Sequence, residues 1–387
     1  MEGVSVYHME EYGKEPDIVV EVPQVTTLFG AFSEACKGYS LMGLTDHGMR
    51  IAITKRSDNT VHIFNYTRQD KKKFVLSSLK YKKEDKWASA FKAILIALQS
   101  ADFKLYGMDI TIKGHTAASD PYCFSYAVFA GMSYALANLN KEKVDTDRLV
   151  KICFSANRFD SRYQARLRDL ITIFTVKKDT FVFFNLSNYD YKFVDYPFYN
   201  RKEVGTYIVD CAIPFQILAP SVEEFRTESF QAMNNLYSVL ENKRVNLFSL
   251  SEREIRSLAS GLSERERSYC LYIITESILA KKGYEAILKD DYKEYGRLLN
   301  LQQRNLINLT ELTSPETDWL WKRALEDKKV IGIAQGFVGI SGNMFAIIDG
   351  IYDVQDNKEK LEEYEHIFGF HPTSRAYLSS DGLRVLE

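Results

Sequence analysis

The run WASAFKAILIALQ, Trp87–Gln99, carries apolar residues at helical spacing, and LYGMDITI, Leu105–Ile112, then returns to strand character. Asp120-Pro121 next opens a long apolar helix through Ala137. Aspartate suits an N-cap and proline the first helical position, so the start of this helix is written into the residues themselves. Outward from this block, Ile18–Val22, Ile51–Thr54 and Thr60–Phe64 read as strands, with a turn at Ser57–Thr60. Asp147–Phe154 and Ala165–Ile173 read as helices, and Thr180–Asn185 and Tyr207–Ile213 as strands. Ser221–Leu301 is mostly helical, with a charged stretch at Ser251–Arg267. Thr313–Glu316 starts a helix, and Val330–Ala334, Met344–Ile348 and Thr373–Leu378 are strand-like. Strands and helices mix without strict βαβ alternation, which implies an α+β protein with layered mixed and antiparallel sheets.

The chain has 387 residues, 45% hydrophobic and 26% charged, enough apolar surface to exclude disorder as its main state. Its length suits two domains, expected at 1–179 and 180–387. A net charge of -2 argues against a nucleic-acid partner. The run Lys71–Lys73, followed by Lys80, Lys82 and Lys83, is read as a solvated loop. Five widely spaced cysteines form no C-x-x-C pair, so neither a zinc site nor a disulfide framework is signalled. Tyr122–Asn140 and Val330–Ile348 are charge-free but lack basic flanks, so they are read as buried elements, and no membrane partner is expected. Met1-Glu2-Gly3 opens a polar segment, and a reduced, cytoplasmic protein is expected. The unusual number is 13% aromatic, from 24 Phe, 24 Tyr and 3 Trp.

Several ungapped stretches, in order and at matching spacing, resemble the galactokinase branch of the GHMP kinase superfamily. They include Tyr12-Gly13 with Pro16-Asp17-Ile18, Trp87-Ala88 with Lys92 and Gly107-Met108-Asp109, Leu44–Gly48, Val330-Ile331-Gly332, and Ser380-Asp381-Gly382. The resemblance covers nearly the whole chain and implies a two-domain GHMP-kinase-like fold.

The motifs that carry function in that family are altered. Its sugar motif, P-G-R-x-N-L-I-G-E-H-T-D-Y, aligns from Pro23. The family arginine is then Val25, the sugar-binding glutamate Ala31, the histidine Phe32 and the aspartate Glu34. A sugar site stripped of hydrogen-bonding partners loses about 1–3 kcal/mol for each buried group left unpaired. The phosphate loop, P-x-G-x-G-L-S-S-S-A-A, aligns with Ala117–Ala127, where every glycine is gone. Asp120 would set a negative charge beside phosphates, and Pro121 removes an N–H. Tyr122 and Phe124 add bulk, Ser119-Asp120 supplies a cap from the chain itself, and Ser125 persists at a family serine position. The third motif aligns with Gly332–Gly342, losing its arginine at Ala334 and keeping Gly339 and Gly342.

The family's catalytic base lies in G-I-M-D-Q, which matches Arg166–Leu170 and makes Asp169 the candidate base. Arg166, three residues earlier, could replace the arginine lost at Val25, while an Arg-Leu-Arg-Asp run also reads as a surface charge cluster. Around Glu223 the family's sugar-contacting tyrosine is absent, but Arg226 remains.

These losses imply a galactokinase-like protein that is inactive or strongly impaired as a kinase, with a binding or regulatory role toward an unknown ligand or protein partner and no cofactor. The alternative is an ATP-dependent sugar 1-kinase with a remodelled site, using Mg-ATP, Asp169 and Ser125. A third reading takes Phe32, Tyr122 and Phe124 as the lining of an apolar ligand site. On the first reading the aromatic excess is partly fill, with Phe32, Tyr122, Phe124 and Phe337 in positions that relatives use for ligands.

Overall fold

The computed structural model describes residues 3–386 except 117–120, 144, 161–163, 197, 199–200, 202, 241–244, 337–341 and 351–357. In chain order the elements are α1 Val4–Tyr12, β1 Ile18–Phe29, β2 Tyr39–Arg56, β3 Thr60–Asn65, β4 Asp70–Val75, α2 Ser89–Ser100, β5 Gly107–Gly114, α3 Pro121–Leu139, α4 Thr146–Ala156 and α5 Leu167–Thr175. There follow β6 Thr180–Asn185, β7 Asp190–Asp195, β8 Val204–Asp210, α6 Phe215–Val239, α7 Glu252–Leu258, α8 Glu264–Leu288 and α9 Tyr292–Leu309. The last are α10 Pro315–Leu325, β9 Val330–Gln335, β10 Asn343–Asp349, α11 Lys358–Phe368, β11 Thr373–Ala376 and β12 Arg384–Val385. This mixture is the α+β class expected from the sequence.

The chain divides into two compact units. One holds Met1–Val25, Leu44–Lys178 and Ser379–Glu387, and the other Thr26–Gly43 and Asp179–Leu378. The units are thus discontinuous, whereas the expected domains 1–179 and 180–387 are continuous.

In the first unit the sheet runs β12-β1-β2-β5-β3-β4. β5 pairs antiparallel with β2, Ile51 opposite Ile112 and Ile53 opposite Ile110, and parallel with β3, Ile63 beside Ile110. Strands β2 and β3, neighbours in sequence, are therefore separated by β5. Helices α2, α3, α4 and α5 pack on one another. α3 approaches the sheet closely at Gly131, where a Cβ would lie 2.6 Å from Ile51 Cδ1 and 2.7 Å from Val22 Cγ2. Burial along β1 does not alternate, because both faces of the strand are covered.

Lys71–Lys73 lies on the hairpin strand β4, not in a loop. Lys71 pairs with Glu11, and its ammonium also sits 5.1 Å from the Phe64 ring centre. The strand signal was hidden by three consecutive lysines, residues that commonly protect an exposed sheet edge.

In the second unit a four-stranded antiparallel sheet runs β11-β8-β10-β9. The start of β2, Tyr39–Met42, pairs with β6, and β6 with β7. Helices α8 and α9 pack together, α9 lies on β9, and α6 packs on α8. Phe29, Phe181, Leu279, Tyr295, Leu298 and Phe345 belong to one buried cluster in this unit. All five cysteines are free and buried. No described helix is long and apolar enough to cross a membrane.

Candidate functional site

Asp169 lies in the first turn of α5, where the helix dipole favours a carboxylate. Arg166, the N-cap, has extended backbone, which swings its side chain back along the turn. Its Nε donates to Asp169 Oδ2 at 2.8 Å. Arg168 Nε stands 3.7 Å from the other oxygen, Oδ1. Side-chain exposure is 4% for Asp169 and 0% for Arg168, so the run is not a surface charge cluster. The reason is packing: α5 is covered by α3 and α4. Two guanidiniums thus counter one buried carboxylate. Oδ1 is buried and accepts no hydrogen bond from the described residues.

Val25 is buried, and its N–H donates to the Tyr126 hydroxyl on α3 at 3.2 Å. The family arginine position is therefore apolar, and the arginines beside Asp169 come from its own helix. α3 begins at Pro121, as expected. Ser119 and Asp120 lie outside the described residues, so the proposed cap does too. Tyr122 is half-buried. Ser125 is buried. Phe124 does not crowd the opening of the helix: its ring is buried 6.1 Å from Trp87 and 6.3 Å from Phe91, centre to centre.

In the second unit the turn after β1 carries Ala31, Phe32 and Glu34. Ala31 is buried, and Phe32 packs edge-on to Phe225 of α6 at 4.9 Å. Tyr272 of α8 lies 6.5 Å from the same ring. Glu223, one half-turn before Phe225, is half-buried on α6. Phe32 thus belongs to an aromatic cluster with Phe225 and Tyr272, while Phe124 belongs to the helical core of the other unit.

In the third motif, Gly339 and Phe337 lie outside the described residues. Gly342 is buried just before β10, where a Cβ would come 2.8 Å from Ile213 Cδ1. Gly332 meets α9, a Cβ there falling 2.1 Å from the Gly296 carbonyl oxygen. Both glycines serve close packing. Among the described residues no group of three or more His, Cys, Asp or Glu could hold a metal ion.

Sequence reasoning missed Glu276 and Ser277 of α8. Glu276 is wholly buried, and its Oε2 accepts the Gly30 N–H at 3.2 Å. Ser277 Oγ accepts the Tyr39 N–H at 2.7 Å. The available signal was a lone carboxylate inside the apolar run Leu271–Leu279.

No protein-family model matches the chain. A protein of Treponema pallidum (strain Nichols) that carries a provisional galactokinase name is 26% identical over 396 residues, spanning 100% of this chain and 97% of that one. A galactokinase of Fusobacterium nucleatum subsp. nucleatum is 24% identical over 337 residues, covering 85% of each. The crystal structure of Lactococcus lactis galactokinase complexed with galactose superposes with a TM-score of 0.82 at 18% identity, over 98% of both chains. The shared architecture gives the GHMP kinase fold, and along its length the chain is similar in sequence to proteins named galactokinase.

Proposed function

We propose that the chain is an ATP-dependent sugar kinase of the galactokinase type, with Asp169 as its general base. The observation that carries this is Asp169 itself: a buried carboxylate with one oxygen held by Arg166 and the other, Oδ1, without a described hydrogen-bond donor. A base needs such a free lone pair within reach of the proton it takes. Relatives named galactokinase, matching between 85% and 100% of the chain, support the same reading. It replaces the expectation of an inactive protein, which rested on lost motif residues alone.

In the proposed step the anomeric hydroxyl oxygen attacks the γ-phosphorus of Mg-ATP as its proton passes to Asp169. The bond from phosphorus to the bridging oxygen breaks, and ADP leaves with the electron pair. Arg166 and Arg168 keep the carboxylate oriented. Ser125 and Gly342 are the described residues that keep a serine and a glycine of the resembled nucleotide motifs. No contact to the donor is assigned.

A second reading, a sugar-binding protein without turnover, is favoured by apolar, buried Val25 where the resembled family motif has arginine. One assay separates the two. ADP release is followed with Mg-ATP and galactose, then with other aldoses. Turnover that falls by about 100-fold or more in Asp169→Asn supports the kinase. No turnover with any aldose, together with calorimetric binding of a sugar, supports the second reading.

A further inference from the structure

The turn between β1 and β2 is held at both ends by consecutive residues of one helix. At its start, the Gly30 N–H donates to Glu276 Oε2 at 3.2 Å. At its end, the Tyr39 N–H donates to Ser277 Oγ at 2.7 Å. Between them, the Cys36 carbonyl accepts from the Tyr237 hydroxyl of α6 at 2.8 Å, and Cys36 Sγ donates to the Ile273 carbonyl of α8 at 3.8 Å. The fit is close: a Cβ at Gly38 would lie 2.0 Å from Ser277 Oγ. Gly30 has φ of 78°, a left-handed conformation that glycine adopts without strain. This turn carries Ala31, Phe32 and Glu34, the positions aligned with sugar contacts.

We infer that α8 is the positioning element of the 30–38 turn: Glu276 and Ser277 set its two ends and thereby the placement of residues 31–34 toward substrate. The role toward substrate rests on the kinase reading above; the clamp does not. Glu276 also accepts from Gln302 Nε2 of α9 at 3.4 Å, so its described hydrogen-bond partners are neutral. Burial pushes its carboxyl up to about 8. Besides the Glu34 side chain on the turn itself, the titratable groups facing the clamp are Tyr272, Tyr237 and Cys36. All three are pushed further up by burial, Cys36 to about 12. Glu276 is therefore the group of this cluster that changes charge between neutral and mildly alkaline pH.

The test is hydrogen exchange of peptides covering residues 28–40 in the full chain, for Glu276→Ala, Glu276→Gln and Ser277→Ala. Losing one clamping hydrogen bond should speed exchange there by about tenfold in the Ala variants. Residues 89–100 serve as the unaffected reference. Near neutral pH, Glu276→Gln should exchange like the parent, because the amide oxygen still accepts the Gly30 N–H. With the base-catalysed intrinsic rate divided out, protection of these amides in the parent should fall at alkaline pH, and this fall should vanish in Glu276→Gln. If Glu276→Ala fails to fold, Ser277→Ala carries the test.

Unchanged exchange in the Ala variants overturns the clamp, as does a Gln variant that exchanges as fast as the Ala one. For substrate, Ser277→Ala should raise the sugar KM several-fold with little change in kcat. Faster exchange with an unchanged KM overturns the role toward substrate. Faster exchange in a protein that turns over no sugar leaves the clamp standing and sinks the kinase reading instead.

Discussion

Arg166 and Asp169 are joined across the first turn of α5, the guanidinium Nε donating to the carboxylate Oδ2 at 2.8 Å. The pair is asymmetric. Arg166 keeps 26% of its side chain exposed, while Asp169 keeps 4%. The arginine thus reaches solvent and the carboxylate does not, which suits a residue that orients a base without blocking it. The sugar motif that the sequence resembles has an arginine at the position of Val25. In this chain both arginines beside Asp169 come from α5 and its N-cap.

Arg166→Met should lower kcat by about tenfold with little change in sugar KM, since it removes one charge-assisted hydrogen bond to the base and no substrate contact. Arg166→Lys should recover part of the loss. Steady-state kinetics on the purified variants checks both, and equal activity of parent and Met variant would remove Arg166 from the reaction.

Arg168 is the more structural of the two arginines, wholly buried beside Asp169. Arg168→Met leaves a buried carboxylate short of one counter-charge and should cost about 3–5 kcal/mol. A urea melt should show the midpoint falling at an unchanged slope. A melt that matches the parent would mean that Arg166 alone suffices.

Glu276 makes stability fall with pH. Its carboxyl is raised from 4.5 to about 8 in the folded chain, so the folded state holds a proton that the unfolded state releases. Its contribution is full below about 4.5 and is lost as pH rises through about 8. The Tm of the parent should therefore drop, relative to Glu276→Gln, between mildly acidic and mildly alkaline pH. Parallel Tm profiles for the two proteins would contradict the buried protonated carboxyl.

Gly38→Ala should destabilise by about 1–3 kcal/mol, because the new methyl would lie 2.0 Å from Ser277 Oγ and 2.7 Å from its Cβ. Gly261→Ala is the control: nothing lies within 4 Å of its Cβ position, and its stability should be equal or slightly higher. Denaturant midpoints measure both.

The chain's own residues determined much of the fold. Strand β6 begins and ends at Thr180 and Asn185, where the apolar run does, and α3 starts at the proline that fits a first helical turn. These signals are local: periodicity, caps and turn residues act within a few positions. The order of segments, with the resemblance it carries, was also enough to place the fold in its superfamily.

Tertiary structure decided the rest. β2 spans Tyr39–Arg56, although the residue pattern alone marks only Ile51–Thr54 and the resemblance adds Leu44–Gly48. Gly43 and Gly48 look like breakers but lie inside it, because a Cβ at Gly48 would come 1.8 Å from the Val22 carbonyl oxygen and one at Gly43 2.8 Å from Phe181. The Arg-Leu-Arg-Asp run looked like a surface patch until α3 and α4 covered it. The environment of Asp169 and the clamp at Glu276 depend on elements far apart in sequence, Glu276 meeting Gly30 across 246 positions. Composition and spacing carry no information about which distant backbone meets which side chain; burial does, and burial exists only once the chain has folded.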